Sequence, residues 1–267
     1  MGIRERLTQL RKKMDEHGMD MYFVPTNDFH GSEYVSDYFK TREFLSGFDG
    51  SAGNLLVTKE QAYLWTDGRY FLQAEEQLKD TGIVLYKSGQ EGVPTLNQFV
   101  AANIPEEGTF GVDGRMVSGT WGEGMRKLLA EKKAKLVLTE DLAGDVWYDR
   151  PPLVHENAWI LSEKYAGEGR ISKLAKLRKF AAEHGGSNVV LTSLDEIAWL
   201  LNIRGNDIPH NPVVFSYLIV GEEKCWLFVG KNVFCAKDRE VLEQDGIIIL
   251  NYATGRRGPR RLPSAPR

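Results

Sequence analysis

A first stretch with reactive residue types is "YLWTDGRYF" (63–71), where an apolar run breaks into Asp67-Gly68-Arg69-Tyr70. A carboxylate, a guanidinium and a phenol so close together are groups that bind ions or move protons. A second is Arg204-Gly-Asn-Asp207-Ile-Pro-His210-Asn-Pro212, a polar loop pinned by prolines between an apolar helical pattern at 194–201 and a hairpin. Loops carry function disproportionately, and Arg204, Asp207 and His210 are the side chains that would line a cleft there. Each stretch also has a purely structural reading. Asp67 at a strand-to-helix junction can accept from the free amides of the next turn, where its charge suits the positive helix end. Gly68 permits the bend, and Arg69 can fork onto a carboxylate or onto carbonyls. A histidine beside proline is commonly a turn residue.

Other chemistries find less support. His17, His30, His155, His184 and His210 are scattered, and His155-Glu156 lacks the second histidine of a zinc-peptidase helix. Gly119-Thr-Trp-Gly-Glu-Gly124 misses the phosphate-binding glycine spacing and reads as a flexible helix start. Cys225 and Cys235 have no partner at a motif spacing, and Cys225, on a strand, reads as a buried structural thiol. No catalytic, cofactor-binding or metal-binding residue is assigned from these patterns.

The elements that would position such residues alternate. Ile3, Leu7, Leu10 and Met14 mark a helix stopped at His17-Gly18; strands or strand pairs follow at 21–24, 54–58 and 62–66, a helix at 69–78, a strand at 84–86, a helix at 95–102, a strand at 109–112, a helix at 118–132 and a strand at 136–138. The hairpin makes the sheet mixed. Arg150-Pro-Pro152 breaks the pattern, and the chain then repeats itself. Leu10-Arg-Lys…Glu16-His-Gly18 returns as Leu177-Arg-Lys…Glu183-His-Gly185 at an offset of 167, and Tyr22-Phe-Val24 matches Val189-Val-Leu191. The hairpin returns at an offset of 162, matching Asn54–Thr58 with 216–220 and 63–65 with 225–227, so that Asp67 falls on Val229 and Arg69 on Lys231. A helix, strand and hairpin repeated in order mean a duplicated domain. The second copy lacks the further helix–strand–helix–strand of the first.

With 267 residues, 42% apolar and 27% charged, the chain suits one large or two modest globular domains. Net charge is −3; setting aside Arg256, Arg257, Arg260, Arg261 and Arg267 leaves −8, which argues against a nucleic-acid surface. Only two cysteines, without a disulfide pattern, suit a reducing cytoplasm. No signal peptide is visible at the start, and the longest apolar run, 213–220, is too short to span a bilayer, so no membrane partner is expected.

"LSGFDGSAG" (45–53) and "YLWTDGRYFLQA" (63–74) resemble the N-terminal domain of the creatinase, prolidase and aminopeptidase P superfamily, and "LNIRGNDIPHNPVVFSYLIV" (201–220) resembles the second of two such domains in long Xaa-Pro aminopeptidases. The resemblance implies an α/β fold of two tandem domains, each a mixed β-sheet flanked by helices: the first over 1–155, the second over 156–252 and incomplete. A basic, proline-rich tail over 253–267 would be disordered and foreign, as in a frameshifted or truncated gene product. The family removes an N-terminal residue preceding proline with two metal ions, usually manganese, held in a third, C-terminal domain. No pair of aspartates here has the spacing of that ligand set. The expectation is therefore a non-catalytic region with no cofactor of its own. Its partners are the missing catalytic domain and a second copy in a homodimer, and Asp67, Arg69, Tyr70, Arg204, Asp207 and His210 are interdomain or interface contacts. The alternatives are a stand-alone binding or dimerisation module and, more remotely, a hydrolase built on Asp67, Arg69 and His210.

Overall fold

The computed structural model describes residues 1–255. It divides into two compact units, Met1–Pro152 and a second beginning at Leu153. The division falls just ahead of the border expected at 155/156. The reason is local: the His155 ring packs edge-on to Phe215 and Tyr252, so His155 belongs to the second unit.

The first unit runs α1 (Ile3–Glu16), β1 (Met21–Pro25), α2 (Thr41–Ser46), β2 (Asn54–Thr58), β3 (Ala62–Thr66), α3 (Phe71–Gln77), β4 (Ile83–Lys87), α4 (Leu96–Asn103), β5 (Thr109–Val112), α5 (Gly119–Ala130), β6 (Lys135–Val137) and α6 (Leu142–Val146). Its sheet has the order β4-β3-β2-β1-β5-β6. β2 pairs antiparallel with β1 and β3, while β1–β5, β3–β4 and β5–β6 are parallel. Strand side chains alternate between faces. Leu55, Val57 and Leu64 therefore meet Leu7, Leu10 and Met14 of α1 and Leu142 and Val146 of α6 in one core. Leu56 and Trp65 meet Phe99 and Val100 of α4 and Met125 and Leu129 of α5 in another.

The second unit contains β7 (Trp159–Ile160), α7 (Glu163–Ala166), α8 (Arg170–Glu183), β8 (Asn188–Leu191), α9 (Leu194–Leu201), β9 (Ile203–Arg204), β10 (Ser216–Gly221), β11 (Cys225–Val229), α10 (Ala236–Gln244), β12 (Ile247–Asn251) and α11 (Tyr252–Gly255). Its main sheet has the order β12-β11-β10-β8; β7 and β9 form a separate two-stranded ribbon. β10 is antiparallel to β8 and β11, and β11 is parallel to β12. One face carries Leu174, Leu200, Leu218, Leu227 and the fully buried Cys225; the other carries Ile219, Trp226 and Phe228. Residues 253–255 of the expected disordered tail belong to α11, where Ala253 donates to Asn251 Oδ1; the remainder, 256–267, lies outside the described residues.

Burial corrects the repeat by one residue. Leu55 and Val57 share the α1 core as Leu218 and Val220 share the α8 core, and Ala62 and Leu64 correspond in the same way to Cys225 and Leu227. The hairpin offset is thus 163 (Leu55 to Leu218, Leu64 to Leu227), not 162. A one-residue slip turns every side chain to the opposite face, and the shorter offset would align inward Leu64 with Trp226 of the other face. Asp67 consequently falls on Gly230 and Arg69 on Asn232.

Candidate functional site

Asp67 stands at the end of β3 as the N-cap of a 3-10 turn over Gly68–Tyr70, accepting from the Arg69 amide at 3.1 Å. Arg69 folds back so that Nε and Nη2 donate to both Asp67 oxygens at 2.9 and 2.8 Å. The pairing holds the carboxyl below, and the guanidinium above, its ordinary range. Tyr70 shares a 2.6 Å hydrogen bond between its hydroxyl and Ser51 Oγ and sets its ring edge-on to Phe48. Charge and donor capacity are thus largely spent within the turn.

The same device recurs at the end of β5, where the sequence reading passed over it. Asp113 caps the turn Gly114–Met116, and Arg115 folds back onto it with Nη2 at 2.6 Å. The recurring Asp-Gly-Arg triplet was the available signal. Gly114 is required: its amide donates to Leu138 O at 3.0 Å, and a Cβ would lie 2.7 Å from that oxygen. Arg115 Nη2 also reaches Asp141 Oδ2 at 3.0 Å, which accepts from Arg150 Nη1 at 2.8 Å. Arg150 Nε donates to Tyr38 O, and its guanidinium lies 3.8 Å from the Tyr38 ring centroid.

This network borders the carboxyl ends of β1 and β5, which are parallel neighbours from which the chain departs to opposite sides of the sheet. Such a switch point is the usual ligand crevice of an open α/β sheet. Here the cavity, bordered by Tyr22, Asp113, Asp141 and Arg150, measures about 20 Å³. That admits a single water, not a substrate. Tyr22 donates to Glu140 O at 2.8 Å and accepts from the Leu142 amide, and burial raises its pKa, so the hydroxyl stays protonated. Close by in sequence, Asp28 is buried, with Oδ1 accepting from the His30 and Ser32 amides and Oδ2 lacking a hydrogen-bond partner.

In the second unit the predicted residues have separate environments. Arg204 donates from Nη1 to Ala198 O and Ile203 O, closing the end of α9. His210 is exposed at φ +63°, a turn position. Asp207 is buried, accepting from the Glu156 and Phe215 amides, both at 2.6 Å. Burial outweighs those bonds and pushes its carboxyl up to about 6. His155, absent from the sequence-based candidates, lies with Nδ1 4.0 Å from Asp207 Oδ2 and without a hydrogen-bond partner; burial lowers its pKa. Periodicity could not pair residues separated by so much chain. These groups knit the segment before β7 to the loop before β10.

Among the described residues no three His, Cys, Asp or Glu side chains are grouped to hold a metal ion. They do not fit the two-metal set implied by the resemblance, so no metal-dependent step is derived for them. No helix among the described residues is long and apolar enough to cross a membrane.

Comparison with known proteins gives this architecture its relatives. The creatinase/prolidase N-terminal domain profile matches residues 6–143, and a second profile of the same description matches residues 149–264. The chain belongs to the creatinase/prolidase N-terminal domain family. The second match continues past residue 252, into the stretch the sequence reading set apart as a tail. Aminopeptidase P1 of Lotus japonicus is 43% identical over 249 residues, covering 92% of this chain and 37% of the relative. Aminopeptidase P2 of Arabidopsis thaliana is 38% identical over 255 residues, covering 94% and 36%. The crystal structure of X-prolyl aminopeptidase from Caenorhabditis elegans, described as a cytosolic enzyme with a di-nuclear active site, superposes with a TM-score of 0.91 at 32% identity, covering 95% of this chain and 43% of that one. The chain therefore spans little more than a third of the length of the two plant relatives and under half that of the C. elegans protein.

Proposed function

We propose that this chain is the non-catalytic N-terminal region of an aminopeptidase P-like metallopeptidase. Its two modules pack against a third, catalytic domain, support homodimerisation and shape access to the active site. The carrying observation is the coverage: nearly all of this chain aligns with little more than a third of aminopeptidase P1 of Lotus japonicus. In the longer protein the reaction is hydrolysis of an N-terminal Xaa-Pro bond in the cytoplasm, with two manganese ions held by the part not represented here. The C. elegans neighbour's description supports the location and the dinuclear chemistry. Asp67, Arg69, Tyr70, Arg204, Asp207 and His210 then serve the modules and their contacts, not bond cleavage.

A stand-alone binding or dimerisation module is the second reading, favoured by each unit having a hydrophobic core of its own. Assay of the purified 267-residue chain on an Xaa-Pro peptide with manganese tests both. The expected result is no hydrolysis, and metal-dependent turnover overturns both readings. Sedimentation then separates them: a stable dimer of the isolated chain without aggregation favours the module, and aggregation favours a region cut from the longer protein.

A further inference from the structure

At the switch point of the first unit, the groups around the cavity of about 20 Å³ leave two donors short of acceptors. Thr41 is 4% exposed at the start of α2, and its Oγ1 accepts from Arg150 Nη2 at 3.5 Å, a long hydrogen bond. Among the described residues no acceptor lies within reach of the Thr41 hydroxyl proton. Arg150 is well held at its other two nitrogens, from Nε by Tyr38 O and from Nη1 by Asp141 Oδ2, both at 2.8 Å. Nη2 is left with only the long bond. An acceptor with spare capacity borders the same cavity. Asp141 Oδ1 accepts from the Gly144 amide at 2.9 Å and from nothing else among the described residues, so one of its lone pairs is unused.

We infer that this cavity holds one internal water, which accepts from Thr41 Oγ1 and Arg150 Nη2 and donates to Asp141 Oδ1. A buried water needs about 10–15 Å³ and two to four polar partners, and the cavity meets both conditions. Charge selects the occupant. Asp113 and Asp141 face Arg115 and Arg150, two carboxylates against two guanidiniums, so the site has no net charge to hold an ion. A halide would satisfy the two donors but has no proton to offer Asp141. A cation would meet the Arg150 guanidinium and the Thr41 proton. Water serves all three groups because it both donates and accepts. It joins the start of α2 to Asp141, the N-cap of α6, and to Arg150, just ahead of Pro151-Pro152. The place where an open α/β sheet commonly receives its ligand thereby becomes part of the scaffold. The inference is independent of the peptidase reading, so either can fail alone.

A high-resolution crystal structure of the 267-residue chain, grown with bromide in place of chloride, tests the occupant. The expected result is one peak within hydrogen-bonding distance of Thr41 Oγ1, Arg150 Nη2 and Asp141 Oδ1, with no anomalous signal at the bromine edge. An empty cavity, a bromide or a metal ion overturns the inference. In solution, magnetic relaxation dispersion of water oxygen counts long-lived internal waters. Thr41→Val removes the donor at nearly constant shape and should lower the amplitude by one water, whereas Thr41→Ser keeps the hydroxyl and should leave the amplitude unchanged. An undiminished amplitude in folded Thr41→Val overturns the inference equally. If that variant does not fold, the crystal outcome decides alone.

Discussion

Asp207 makes stability depend on pH in an unusual direction. The residue is 6% exposed, its carboxylate accepts from the Glu156 and Phe215 amides, and burial pushes its pKa from 3.8 up to about 6. Each pKa unit corresponds to about 1.4 kcal/mol, so the ionised form costs the fold about 3 kcal/mol. The folded carboxyl holds its proton more tightly than the unfolded one. Its contribution is therefore fully present below the ordinary aspartate range and is lost as pH rises through about 6. Buried His155 acts oppositely: its lowered pKa costs stability as pH falls below the ordinary histidine value. Comparison with Asp207→Asn cancels that term and leaves the carboxylate. Asparagine resembles the protonated acid, with one acceptor facing two amides. In urea unfolding, going from about pH 4, where the unfolded carboxyl is already partly ionised, to about pH 8, the native chain should lose about 2–2.5 kcal/mol relative to the variant. Exchange at the Glu156 and Phe215 amides assigns the loss to the second unit. A gap that does not change with pH, or that changes in the native chain's favour as pH rises, refutes the reasoning.

Other substitutions test neighbouring parts of the structure. Gly230→Ala places a Cβ 2.4 Å from His155 and should lower second-unit stability by about 1–3 kcal/mol in chemical unfolding. Arg115→Ala leaves Asp113 and Asp141 without a shared cation and should cost the first unit about 1–2 kcal/mol, while Arg69→Ala, at the more exposed version of the turn, should leave its melting temperature unchanged. Buried Arg42 donates to Thr26 Oγ1 and to the Phe48 and Gly50 carbonyls, so Arg42→Met should cost about 3–5 kcal/mol by thermal unfolding. Arg42→Lys should recover only part, since an ammonium cannot reproduce the fork.

Long periodic elements were legible before the structure. Leu7, Leu10 and Met14 mark α1 because one face of that helix is buried, and the β2–β3 hairpin shows itself through two apolar runs split by Lys59-Glu60-Gln61. The short α2 and α6 and the β7–β9 ribbon were not legible, since four to six residues hold too little periodicity to register. Arg42 shows why: a charged residue in the first turn of α2 looks like solvent-facing surface, yet it is 4% exposed because backbone carbonyls surround it. Arg170 and Lys173 in α8 are buried in the same manner, against Leu201 O, Trp199 O and Asn202 Oδ1. In the candidate loop, Asp207 stood out by its surroundings in sequence, but its partner His155 lies too far along the chain for spacing to connect them.

The two cysteines amount to a built-in stopwatch for one half of the molecule. Both lie in the second unit: Cys225 is 0% exposed on β11, with its thiol pushed up to about 12 by burial, and Cys235 is exposed at the start of α10. An alkylating reagent reacts with the thiolate, so Cys235 should label at once and mark the intact chain by a single mass increment. Cys225 should wait for the sheet to open. The delay between the two increments, read by mass spectrometry, times the opening of the second unit alone, with no label or substitution introduced into the first.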